Sequence, residues 1–238
     1  MCDAHKTDLG RRALFAATAA SLAAGSVAGS RSVRAESSPA APNAISPDAA
    51  LQRLMEGNAR YCANTADLKD YEVGRAARAT AQYPIAGLVS CADARVAPEL
   101  IFDQGPGELF VTRVAGNFVN TDGLASLEYG VKFLGLPLIM VLGHSGCGAI
   151  SATIKVLKEH AALPGHLPQL VDAIKPAIDL AEKRKAADPL GEAIRQNVRF
   201  SVQRLHNAKP IIAEAVAAGR VRVVGGVYDI GTGKVTLI

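Results

Sequence analysis

The chain has 238 residues, 49% of them hydrophobic, 5% aromatic and none tryptophan, enough for one sizeable α/β domain around an aliphatic core. The formal charge of +4 is concentrated at the start, where Lys6, Arg11, Arg12, Arg31 and Arg34 face only Asp3 and Asp8. The remainder is close to neutral, which argues against a nucleic-acid partner.

Residues 1–35 read as a targeting segment. Leu9-Gly10-Arg11-Arg12-Ala13-Leu14-Phe15 resembles the twin-arginine export signal of bacteria, and an Ala-rich, weakly apolar run follows it to Ala28. That run contains Ser, Thr and Gly and makes a poor membrane span. Val33-Arg34-Ala35 places small residues where a signal peptidase cuts. The expectation is a signal peptide at 1–35, a Ser/Pro/Ala linker at 36–45, one domain at 46–238 with no membrane span, and a periplasmic or secreted location. A disordered Ala-rich tail is the alternative for the leader.

Ser46-Pro47 predicts a helix start, with Ser as cap and Pro at the first position. Leu51, Leu54 and Met55 recur at helical spacing, and Gly57-Asn58 blurs the helix end. Cys62 reads as a small packing residue. Ile85–Ser90 is the first predicted strand, Pro98–Ile101 a short helical turn, and Leu109–Val114 the second strand. Thr121-Asp122-Gly123 opens a helix with Leu124, Leu127, Tyr129, Val131 and Leu134 as its apolar set.

Leu138–Leu142 is the third strand, and a helix beginning at Gly146-Cys147-Gly148 follows with Ile150, Ile154, Val156 and Leu157 inward. Residues 161–168 read as a loop. Leu170, Ile174 and Ile178 form a further helical stripe in which Pro176 predicts a kink or restart. Asp188-Pro189 opens a helix carrying Ile194, Val198, Val202 and Leu205, and Lys209-Pro210 starts another. Val221–Ile230, interrupted by Gly225-Gly226, and Lys234–Ile238 are strands, the last antiparallel. The alternation predicts an α/β fold with a mostly parallel central sheet, flanking helices and a short antiparallel C-terminal strand.

Two apolar runs end in chemistry. The first leads into Cys91-Ala92-Asp93-Ala94-Arg95, the second into Gly143-His144-Ser145-Gly146-Cys147-Gly148. Sites in parallel sheets form at the carboxyl ends of strands, so Cys91, His144 and Cys147 are expected to meet at one sheet edge. Two thiolates and an imidazole are a zinc set that leaves a fourth position for water or substrate. A disulfide between the two cysteines, or two buried structural thiols, is the competing reading. Neither accounts for His144 three residues before Cys147, or for Asp93 and Arg95 beside Cys91. Asp93 and Arg95 read either as a structural ion pair or as site residues.

Cys-x-Asp-x-Arg followed by His-x-x-Cys resembles the zinc signature of the β-class carbonic anhydrases. Gly105–Asn117 resembles the segment those enzymes carry between the two motifs, and Leu54–Tyr61 resembles their N-terminal helix. The similarity spans roughly residues 46–238. One departure is Ala94, where the family most often has Ser.

The resemblance implies Zn2+ on Cys91, His144 and Cys147. It implies that Asp93 accepts a hydrogen bond from the zinc's water or ligates zinc in a closed state, with Arg95 holding Asp93 ionised. It implies a substrate contact for Gln104, whose other reading is a solvated loop residue. It further implies reversible hydration of carbon dioxide to bicarbonate and a proton, in a homodimer or dimer of dimers. A related carbon disulfide or carbonyl sulfide hydrolase and a non-catalytic zinc-binding module are the other readings of these residues.

Overall fold

The structure is a computed structural model that describes residues 41–238; the expected signal peptide and the linker as far as residue 40 lie outside the described residues. The first helix, α1 (Pro47–Cys62), begins as expected, with the Ser46 hydroxyl accepting from the Ala49 amide at 3.1 Å. It runs through Gly57 and Asn58 without a break. A Cβ on Gly57 would lie 1.8 Å from the Phe102 carbonyl oxygen, so glycine here permits close helix contact rather than ending the helix. A short helix with no buried residue, α2 (Arg75–Thr80), was not foreseen, because Arg-Ala-Ala-Arg-Ala-Thr carries no apolar stripe.

Strand β1 (Ala86–Cys91) is followed by the single turn α3 (Pro98–Ile101), strand β2 (Leu109–Val114), helix α4 (Thr121–Phe133) and strand β3 (Leu138–His144). Helices α5 (Gly148–Glu159), α6 (Leu167–Glu182), α7 (Pro189–His206) and α8 (Ile211–Ala217) come next, then strands β4 (Arg222–Tyr228) and β5 (Val235–Leu237). The sheet order is β2-β1-β3-β4-β5, parallel except for β5 on β4.

Alternate residues of the buried strands face two apolar layers. Leu88, Met140 and Leu142 pack with Leu54, Ile101 and Phe102 under α1 and α3. Val89, Ile139 and Val141 pack with Leu127, Val198, Leu205 and Ile212 under α4, α7 and α8. Helix α7 sits directly on the sheet: Cβ atoms on Gly143 or Gly225 would each come within 2.7 Å of Val198. Of the two glycines expected to interrupt the fourth strand, Gly225 instead admits this helix, while Gly226 lies against Val235 of β5.

Three local expectations are corrected. Helix α6 begins at Leu167, inside the expected loop, and does not restart at Pro176; its buried face of Val171, Ile174, Ala177, Ile178 and Ala181 carries it past the missing hydrogen bond. Tyr129, counted in the apolar set of α4, is 48% exposed, and its ring lies between Phe110 and Phe133, with centroids at 6.3 and 5.4 Å.

Topology positions the site. The chain leaves β1 toward β2 on one side and returns to β3 on the other, so the strand order reverses between β1 and β3. A crevice opens at the carboxyl ends of strands at such a point. Cys91 and His144 are the final residues of those two strands.

Candidate metal centre

Cys91, His144 and Cys147 are 3%, 0% and 0% exposed, and one ligand atom from each lies within 4.8 Å of the others. All three sit at element ends because β1 and β3 stop there and α5 starts there; Cys147 is the residue preceding the first turn of α5. The free amides of Ala149 and Ile150 favour its thiolate.

The chemistry of the three donors fits one zinc ion. The Ser145 carbonyl, which can only accept, lies 3.0 Å from His144 Nδ1. The ring proton therefore sits on Nδ1, and Nε2 keeps its lone pair. Nε2 is buried and has no hydrogen-bond partner, an arrangement that costs free energy unless a cation takes the lone pair. Both thiols are free of disulfides. The Cys147 thiol, donating to Cys91, is the largest cause of a Cys91 pKa lowered to about 4; the Gly116 and Asp93 amides add to it against the opposing effect of burial. The same contact, with burial, pushes Cys147 up. Holding a divalent cation would require both thiols to ionise, and binding would release their protons.

Beside the three ligands, Asp93 is gripped by Arg95. Arg95 Nε donates to Oδ1 at 2.9 Å, Nη2 to Oδ2 at 2.7 Å, and its backbone N–H to Oδ1 at 3.0 Å. The Arg95 side chain is the main cause that holds this carboxyl well below the usual carboxylate range. Oδ2 is 3.9 Å from His144 Nε2, so the carboxylate borders the ligand group while both of its oxygens remain with Arg95. Ala94 leaves this pair intact.

Gln104 is not brought to the group by any hydrogen bond. It is buried rather than solvated, its Nε2 donating to the Phe102 and Asp103 carbonyls at 2.8 and 3.1 Å.

Sequence reasoning missed the residues that hold the ligand loop through backbone atoms. Arg113 Nε donates to the Cys91 carbonyl and Nη2 to the Asp93 carbonyl, both at 2.8 Å. The Gly116 amide donates to Cys91 Sγ at 3.2 Å, and the Asp93 amide to the same sulfur at 3.4 Å. Ser145 ties the ligand turn to β4, its amide donating to the Tyr228 carbonyl at 2.8 Å and its hydroxyl accepting from the Ile230 amide at 2.9 Å. Arg113 and Gly116 lie inside the stretch that carried the family resemblance, which was the available signal.

A parallel α/β sheet with a buried Cys-His-Cys group at its switch point defines a zinc metalloprotein of the kind whose fourth position is open. A family profile described as carbonic anhydrase matches residues 86–235. The carbonic anhydrase of Mycolicibacterium smegmatis is 39% identical over 82% of this chain and 95% of its own. Carbonic anhydrase 2 of Mycobacterium tuberculosis is 36% identical over 82% and 94%. Among solved structures, the Coccomyxa β-carbonic anhydrase in complex with acetazolamide superposes with a TM-score of 0.59 at 30% identity, covering 79% of this chain and 86% of that one. The β-carbonic anhydrase CcaA gives 0.62 at 26% identity over 79% and 87%. The chain belongs to the β-class carbonic anhydrase family, whose members are zinc enzymes.

Proposed function

We propose that this protein catalyses the reversible hydration of carbon dioxide to bicarbonate and a proton, with zinc held by Cys91, His144 and Cys147. The observation that supports it most is the buried, unpartnered Nε2 of His144 between two thiols, with an ionised carboxylate at its edge. Zinc supplies the Lewis acidity that makes water a nucleophile near neutral pH.

The chain does the rest. His144 donates Nδ1–H to Ser145, which fixes the tautomer and aims the imidazole. Arg95 keeps Asp93 ionised and therefore acceptor-only. Asp93 takes one hydrogen bond from the attacking water and so turns a lone pair toward carbon dioxide, whose central carbon is the electrophile. Two thiolates would donate more charge to the metal than imidazoles do, so its water would be less acidic and the hydrogen bond accepted by Asp93 would matter more.

A carbon disulfide or carbonyl sulfide hydrolase would use the same ligands. The relatives named above are described as carbonic anhydrases, and the Asp93–Arg95 pair argues against a non-catalytic zinc module. Parallel assays of carbon dioxide hydration and sulfide release on the purified zinc protein separate these readings: hydration without sulfide release supports ours, and the reverse overturns it.

Residues 1–35 are proposed to be a twin-arginine signal that exports the protein to the periplasm. The support is the order of paired arginines, apolar run and Val33-Arg34-Ala35. Changing Arg11 and Arg12 to Lys would strand precursor in the cytoplasm; normal periplasmic recovery would refute the assignment. The mature chain is proposed to form a homodimer or a dimer of dimers. The supporting surface is the edge strand β2 and the exposed Tyr129 and Phe133 beside it. A monomer mass by light scattering of the zinc-loaded protein would refute it. Among the described residues no helix is long and apolar enough to cross a membrane.

A further inference from the structure

Asn197 lies on α7, far in sequence from both ligand motifs, and is fully buried. Its Nδ2 is 2.8 Å from the Gly116 carbonyl. A carbonyl only accepts, so the amide must present its NH2 there. The N–H of that same glycine donates to Cys91 Sγ at 3.2 Å.

Gly116 itself has little freedom. Its φ is +83°, and a Cβ at this position would lie 2.7 Å from Ile174 Cδ1. The next peptide is fixed on its other side, the Asn117 amide donating to the Val114 carbonyl at 3.0 Å. The carbonyl that Asn197 holds and the N–H that reaches sulfur therefore belong to one residue with a locked backbone. An N–H donor on a thiolate withdraws charge from sulfur and fixes the direction of its lone pairs. Losing the Asn197 amide frees the carbonyl end of this link and leaves a buried carbonyl unpaired.

We propose that Asn197 is a positioning residue for the metal: through Gly116 it sets the orientation and charge of the Cys91 thiolate. This rests on the zinc reading of the Cys91, His144 and Cys147 group. A purely structural Asn197 would satisfy a buried carbonyl and stabilise the fold without altering how sulfur meets the metal.

The experiment compares four zinc-loaded proteins: wild type, Asn197→Ala, Asn197→Ser and Val198→Ala. Val198 neighbours Asn197 on α7 and packs on Gly143 and Gly225. The readouts are the zinc dissociation constant, by competition with a chromogenic chelator, and the thiolate-to-metal charge-transfer band after exchange with cobalt. Both Asn197 variants are expected to bind zinc about 10–100-fold more weakly and to shift the band. Val198→Ala is expected to melt lower with dissociation constant and band unchanged. If Asn197→Ala fails to fold, Asn197→Ser, which removes less volume, supplies the reading. Folded Asn197 variants with wild-type affinity and band overturn the proposal. A wild-type protein that binds zinc no better than Cys147→Ser would instead overturn the metal assignment, and the proposal with it.

Discussion

Asp103 offers a stability test that leaves the metal centre untouched. Its side chain is 4% exposed and receives Arg60 Nε at 2.6 Å, Lys69 Nζ at 2.7 Å and the Asp67 amide at 3.2 Å. These contacts fasten α1 and the segment after it to the end of α3. Burial alone would push this carboxyl up, but the hydrogen bonds from Lys69, Arg60 and the Asp67 amide outweigh it and bring the pKa to about 2, against 3.8 for an unperturbed Asp.

A depressed folded pKa means that the contribution is present in full above the unfolded value and is lost as pH falls through the folded one. The difference corresponds to about 2 kcal/mol at neutral pH. Asn is the substitution of choice because residue 103 has φ +49°, a left-handed conformation that Asn tolerates. Asp103→Asn is expected to lower the melting temperature at pH 7 by about 4–8 °C, with hydration per folded zinc site unchanged. Melting both proteins between pH 2 and 7 checks the mechanism. The gap should hold down to about pH 4 and close toward pH 2, while zinc loss, common to both, cancels in the difference. A gap that is absent at pH 7, or that stays constant across the range, would refute the electrostatic reasoning.

Asp93→Asn is expected to retain zinc and a near-normal melting temperature but to lose about 10²–10⁴ in hydration rate, since Asn keeps an acceptor oxygen without the charge that Arg95 orients; full activity in the folded, zinc-loaded variant would remove Asp93 from the mechanism. Cys147→Ser is expected to lose most of its zinc and to unfold more easily, because metal binding energy is also folding energy; full occupancy by elemental analysis would contradict the ligand assignment.

How much of this was legible in the sequence depended on the kind of interaction. Strands β1 and β3 stood out because five or more consecutive apolar residues are required where both faces of a strand are covered. Their ends located Cys91 and His144, and the caps at Ser46 and Asp188 announced α1 and α7; the Asp188 carboxylate accepts from the Gly191 amide at 2.9 Å as expected of a cap. Proximity in space was inferable only through the rule that sites gather at strand termini.

The supporting shell was not legible. Arg113, Gly116 and Asn197 act through carbonyl and amide groups, which every residue carries, so no side-chain pattern marks their partners. Asn197 meets Gly116 across 81 positions, and no local signal spans that distance. Gly57 and Gly225 were read as weaknesses in their elements, because a sequence shows what a glycine lacks and not the carbonyl or valine that takes the space. Tyr129 was counted in the apolar set of α4 from periodicity, which does not distinguish a core neighbour from the half-buried Phe110 and exposed Phe133 that flank it.

The central claim is that one zinc ion on Cys91, His144 and Cys147 drives hydration of carbon dioxide. The most direct measurement is stopped-flow hydration on chelator-stripped protein as zinc is added back, with bound metal determined on each sample. The account predicts negligible activity without zinc, a rate rising in proportion to bound zinc, and saturation at one ion per chain. Activity that is independent of zinc, or a protein with one bound zinc per chain and no hydration above the buffer rate, would contradict it.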